Sequence, residues 1–248
     1  GSAALQSTEE FDGTNWSSGG ALSFSDGSDG TVGFGASNSG VNAGGFTGGD
    51  ETGRTEEYNG TSWSSGNTMS TPIYGSAGWG TLSAGAVVGG TLFSPTQRDR
   101  QTTQEYDGTN WSNGNNCSTG TSQSACFGTQ TAGVKATGAS GGSSAVDTTT
   151  CEEYDGTNWG SGGSMSTGRR YAAGFGALSK GYVAGGENGG TDQISTETYN
   201  GTSWSGDTNL PAAKSISAQG MGGDTSSNGF LAGGISGGSV VNTMYSAS

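Results

Sequence analysis

The sequence predicts an all-β protein: a five-bladed β-propeller, with four antiparallel strands per blade, filling residues 1–248 as a single domain. Three observations carry that prediction. A six-residue word ending in tryptophan recurs five times at near-constant spacing. Three further landmarks keep its phase over nearly the whole chain. No apolar period of 3.6 residues persists, which excludes a stack of helix pairs.

The word reads Phe11-Asp12-Gly13-Thr14-Asn15-Trp16, and its copies end at Trp63, Trp111, Trp159 and Trp204, at intervals of 47, 48, 48 and 45 residues. Six positions repeated in this way do not arise by chance, and a period of 20–50 residues marks repeat architectures. Six residues after each tryptophan stands an apolar side chain: Leu22, Met69, Cys117, Met165 or Leu210. A bulky residue beside glycine follows, at Phe34, Trp79, Phe127, Phe175 and Met221. About ten residues further on comes a doublet of small residues, from Gly44-Gly45 to Gly233-Gly234.

Each unit resolves into four short strands. The Asp-Gly or Asn-Gly pair favours a tight primed turn, so strands flank it. Before the turn, segments such as Thr55-Glu56-Glu57-Tyr58 predict a strand with its aromatic inward and its carboxylates outward. After it, Trp63 opens a strand ending near Met69. The bulky residue beside glycine and the stretch leading to the doublet supply two more. Four strands in 45–48 residues is the size of a propeller blade. Small residues suit crowded strands near the axis, and large ones fill the space between blades. The ends supply one strand too many, since Val240 to Tyr245 resembles the strand before the turn and Thr8 to Asp12 already provides a fifth copy. Closure by N-terminal strands joining C-terminal ones is the expectation.

Composition narrows the function. With 52 glycines and 12% charged residues the chain looks like low complexity, but six Trp, eight Tyr and eight Phe in ordered recurrence indicate a core. A net charge of −13 disfavours nucleic acid. No run of about 18 apolar residues is present, so no membrane insertion is expected. Gly1-Ser2 reads as a cloning remnant, which leaves secretion open.

Histidine is absent. That removes Ser-His-Asp and Cys-His activation, His-ligated zinc and the copper site of galactose-oxidase-like propellers. Cys117, Cys126 and Cys151 lack metal-ligand spacing and read as structural thiols, with one disulfide open. Paired acids such as Glu56-Glu57 and Glu152-Glu153 recur by unit, whereas a catalytic carboxylate pair is unique within a ring. The acids Asp26, Asp29, Asp50, Asp99, Asp147, Glu187, Asp192 and Asp224 read as unrepeated loop residues. No catalytic residue, metal ligand or cofactor site is assigned, and oxygen-rich turns leave calcium open. Candidate ligand-binding residues are Asn15, Trp16, Trp63, Trp79, Asn110, Trp111, Asn158, Trp159 and Trp204, because an aromatic face beside an amide can stack on a sugar and bond its hydroxyls. Packing of the same tryptophans between blades is the reading the pattern favours.

The Gly doublet, a Tyr 11–16 residues on and a Trp five residues later resemble the kelch family, over almost the entire chain. The likeness implies a propeller, although kelch rings usually have six or seven blades. The Arg that often opens the kelch repeat is matched only by Arg169-Arg170. The wording Glu-Glu-Tyr-Asp-Gly-Thr-Asn-Trp is similar to kelch-like repeats of marine bacteriophage proteins. The turn is also similar to the Asp box of sialidases, at a shorter spacing and without an evident arginine trio. The functional expectation is a non-catalytic recognition or structural module, monomeric, in a phage tail or other extracellular assembly, contacting a surface glycan or other virion proteins. The alternative is a lectin with blade-repeated sites, for which the tachylectin family is the analogy. A glycoside hydrolase comes third.

Overall fold

The computed structural model describes residues 6–24, 30–93 and 97–213, with the shorter stretches 220–221, 230–232, 234–236, 239–240 and 244–246. Four sheets of four antiparallel strands follow one another along the chain, each with its strands in sequence order. Sheet I comprises Val32–Ala36, Ser39–Ala43, Thr55–Tyr58 and Trp63–Ser65. Sheet II comprises Ala77–Thr81, Ala84–Val88, Thr103–Tyr106 and Trp111–Asn113. Sheet III comprises Ala125–Thr129, Ala132–Ala136, Cys151–Tyr154 and Trp159–Ser161. Sheet IV comprises Ala173–Ala177, Lys180–Ala184, Thr196–Tyr199 and Trp204–Asp207.

The chain's ends depart from this plan. Sheet V has three described strands, Gly220–Met221, Phe230–Ala232 and Met244–Ser246. A separate N-terminal hairpin pairs Glu9–Phe11 with Trp16–Ser18. Part of the closing segment between Val240 and Tyr245 lies outside the described residues. Where it is described, its register differs from the expectation. Tyr245 stands opposite Leu231, as Glu197 stands opposite Val183 in sheet IV. The C-terminal strand therefore puts its tyrosine two positions short of the repeat's aromatic.

First strands of successive sheets pack side by side, from Val32–Ala36 through to Gly220–Met221, and are the inner strands of a propeller-like arrangement. Close approach explains the glycines. A Cβ on Gly85 would lie 2.0 Å from the Phe34 ring of the preceding sheet, and one on Gly181 2.0 Å from Phe127. The bulky residues of the first three inner strands, Phe34, Trp79 and Phe127, thus lie on bare backbone in the next sheet. Between second and third strands each unit adds a small hairpin that the sequence did not announce, such as Thr91–Leu92 with Arg98–Asp99.

The repeated turn is built as its sequence dictates. In Asp107-Gly108-Thr109-Asn110 the carboxylate accepts the N–H groups of Thr109 at 2.8 Å and Asn110 at 2.6 Å, while Gly108 takes φ 93°. Those backbone bonds hold Asp107, like Asp12 and Asp155, below the ordinary carboxyl pKa. The acids expected to face outward do otherwise. Glu56, Glu152 and Glu197 are buried and Gln104 takes their place in sheet II. Glu152 pairs with Lys135 at 2.7 Å and Glu197 with Arg169 at 2.6 Å. Burial alone would raise the Glu152 carboxyl, but the bonds from Lys135 and Ser118 outweigh it and hold it below its usual value. In sheet II the residue opposite is Val87 and the Arg169 position holds Ile73, so neither is basic, and a neutral Gln104 avoids burying a charge without a partner.

Candidate functional site

The predicted tryptophans lie in the seams between sheets. Each stacks on the aromatic directly opposite it across the turn, as Tyr106 and Trp111 do at 4.7 Å and Tyr154 and Trp159 at 5.0 Å. Three of them, Trp111, Trp159 and Trp204, then reach the preceding sheet. Trp111 Nε1 donates to Thr55 Oγ1 and Trp159 Nε1 to Thr103 Oγ1, both at 2.9 Å. Trp204 packs edge-on against Phe127 at 6.2 Å, and Cys151 occupies the threonine position beneath it. Trp63 is half-buried, stacked on Tyr58 at 5.0 Å. Trp79 is 3% exposed, donates to the Thr129 carbonyl at 2.9 Å and meets Trp159 edge-on. Trp16 differs, with 46% of its surface exposed.

The asparagines are also engaged in the seams. Asn67 donates to Asn110 Oδ1 and Asn115 to Asn158 Oδ1, each at 3.1 Å. Where the next unit has serine, at Ser62 or Ser203, the preceding unit has Gly20 or Gly163 against it. Asn15 is exposed. A third clasp joins the tyrosines to acids of the preceding unit: Tyr58 to Glu10, Tyr106 to Glu57, Tyr154 to Glu105 and Tyr199 to Glu153. Burial and then these acceptors push the hydroxyls of Tyr106, Tyr154 and Tyr199 well above the ordinary tyrosine pKa.

Three acids read as unrepeated, Asp99, Asp147 and Asp192, turn out to be repeated, since together with Glu51 they occupy one position on the small hairpins. Three of them cap the next unit's hairpin: Glu51 accepts from the Phe93 N–H, Asp99 from Gly141 and Gly142, and Asp147 from Gly189. The cysteines are free. Cys126 Sγ points at the Gly78 carbonyl, 2.8 Å away, and burial pushes the Cys126 and Cys151 thiols up to about 12.

A further group of aromatic and polar side chains comes together from three units. On the hairpin side, where the loops enter the inner strands, a cavity of about 360 Å³ is lined by Tyr74, Phe93, Gln97, Gln123, Arg170 and Tyr171. Phe93 is 39% exposed and packs against Tyr74, tilted, and Phe46, edge-on, both at 5.2 Å. Arg170 Nε lies 3.0 Å from Asp147 and 3.5 Å from Glu187, so its charge is already matched. Sequence reasoning passed over this group because it searched for recurrence. The available signal was the opposite one, aromatics standing outside every landmark. Among the described residues no group of three or more Cys, Asp or Glu is disposed to hold a metal ion.

No family model matches the sequence, and no curated relative matches it. Among solved structures the chain is similar to one described as the structure of YjhT, with a TM-score of 0.77 at 12% identity, covering 98% of this chain and 94% of that one. At that identity the likeness shows the fold alone, an all-β, propeller-like array of repeated four-stranded antiparallel sheets.

Proposed function

We propose that the chain is a five-bladed propeller of kelch-like repeats, closed by its N-terminal hairpin, and that it is a non-catalytic recognition module holding a ligand at its axial mouth. Closure is supported by how the seam residues change together. In a ring of five the hairpin follows sheet IV. Thr198 then replaces the acid that elsewhere accepts a tyrosine hydroxyl, and the hairpin carries Phe11, which has no hydroxyl to offer. Thr196 Oγ1 is buried without a partner at the position where a tryptophan N–H arrives in other seams, and Trp16 is the exposed tryptophan. Thr208 stands at the Asn67 and Asn115 position, ready for Asn15.

The recognition reading rests on the cavity at the inner-strand mouth, which is lined by aromatic, amide and hydroxyl side chains. Its one cation is matched by two carboxylates, so the site suits a neutral polyhydroxylated ligand, such as the end of an oligosaccharide, better than an anion. A non-catalytic role is supported by the repeated acids that are engaged in turns, clasps and buried pairs, such as Asp107, Glu105 and Glu197. A setting in a phage tail or other extracellular assembly is supported by the wording of the repeat. Titration against an array of neutral oligosaccharides is expected to give one bound ligand per chain. Five per chain would favour sites repeated on every blade, and turnover of a polysaccharide would contradict the non-catalytic reading.

A further inference from the structure

Two residues before each described inner strand of sheets I to IV the backbone turns left-handed, at Gly30 (φ 64°), Gly75 (φ 61°), Gln123 (φ 53°) and Tyr171 (φ 54°). Their N–H groups form a relay across the sheets. Gly75 donates to the Gly30 carbonyl at 2.9 Å, Gln123 to Gly75 at 2.7 Å and Tyr171 to Gln123 at 3.0 Å. The relay fixes the conformation whatever side chain is present. Glycine adopts it freely, whereas other L-residues resist it, Gln and Tyr among them.

A third non-glycine residue with positive φ supplies a contrast. Thr137, at φ 58°, occupies the first place of the small-residue doublet. Its hydroxyl bonds the Arg169 carbonyl and accepts the Arg169 N–H at 2.8 Å, and the residue is fully buried. There the side chain compensates its own backbone. Gln123 and Tyr171 are half-buried, and both line the mouth cavity beside Tyr74 and Phe93. The Gln123 side chain lies across Gly75, whose added Cβ would stand 3.6 Å from Gln123 Cγ.

We propose that Gln123 and Tyr171 are specificity-determining residues of the axial site, kept against backbone preference because these positions aim a side chain from the inner ring into the cavity. Tyr171 offers a ring face and a hydroxyl to a sugar, and Gln123 a donor and an acceptor to adjacent hydroxyls. This assignment rests on the recognition reading above. Strained residues maintained at a site signal a role there.

The test is Gln123→Gly and Tyr171→Gly, singly and together, with Thr137→Gly as the contrasting variant, read by calorimetry and by binding to the neutral oligosaccharide array. Relief of the left-handed strain is expected to raise the unfolding midpoint by roughly 1–3 °C per site. Array binding is expected to fall by tenfold or more. Thr137→Gly is expected to lower the midpoint and leave binding unchanged. Midpoints that fall for Gln123→Gly and Tyr171→Gly would overturn the inference, as would wild-type binding that survives both changes. Wild-type protein that binds nothing on the array would overturn the recognition reading itself.

Discussion

The seam between sheets II and III and the mouth of the inner strands lie in the same sheets and use similar residues to opposite ends. In the seam, Tyr154 reaches Glu105, Trp159 reaches Thr103 and Asn158 meets Asn115, and equivalents of each contact occur one period away. At the mouth Tyr74, Phe93, Gln123 and Tyr171 line a cavity, and the side chain at each position varies among the units. Recurrence in this chain marks what holds neighbouring sheets together, and departure from recurrence marks where chemistry is free to vary.

The largest effect is expected from cutting the seam proposed to close the ring. Removing residues 1–20 takes Glu10 from Tyr58 and leaves two seams open. The expected loss exceeds about 5 kcal/mol, comparable with the whole stability of many domains, so cooperative melting followed by circular dichroism should disappear. Removing residues 241–248 should change the melt far less, because that strand is out of the repeat's register. Equal effects would break the comparison.

Next comes the buried pair in sheet IV. Arg169→Met strands the Glu197 carboxylate and should cost about 3–5 kcal/mol in urea unfolding. Arg169→Met combined with Glu197→Leu should recover most of it. A smaller loss, about 1–2 kcal/mol, is expected for Tyr106→Phe, which removes one hydroxyl from one clasp.

The clasps also set a pH dependence. Folding raises the pKa of Tyr106, Tyr154 and Tyr199 above the ordinary 10.0, so their stabilisation is fully present below pH 10 and is lost as the pH climbs beyond it. Melting midpoints should fall above pH 10, and less steeply in a variant with phenylalanine at all three positions. The mouth should behave in the reverse sense. Phe93→Ala is expected to cost less than about 1 kcal/mol while abolishing array binding, since the ring is half-exposed. The smallest effect concerns the thiols. With Cys126 and Cys151 at about 12, folded protein at pH 8 should leave both unmodified by a thiol reagent for hours.

Much of the four-stranded unit was legible because turn chemistry and aromatic spacing are local. Asp107-Gly108 dictates its own turn, and Tyr106 and Trp111 must then stand opposite each other. The direction of the acids was not legible. Glu56 and Glu57 are adjacent and chemically identical, yet one caps the loop from Ser23 and the other receives the next sheet's tyrosine. That difference is created by neighbours some 30 to 50 residues away. The small hairpins escaped notice because two-residue strands carry no period. The mouth escaped notice because its members converge from separate units, Gln123 and Tyr171 through the relay and Phe93 through its contact with Tyr74.

The closing seam can be tested by a disulfide between Asn15→Cys and Thr208→Cys, with Asn67→Cys and Asn110→Cys as the reference pair already in hydrogen-bonded contact. Under mild oxidation both pairs should cross-link within one chain to similar extents, without disturbing the melt. If the reference pair closes and the 15–208 pair stays reduced or links separate chains, the hairpin does not follow sheet IV and the ring of five is wrong.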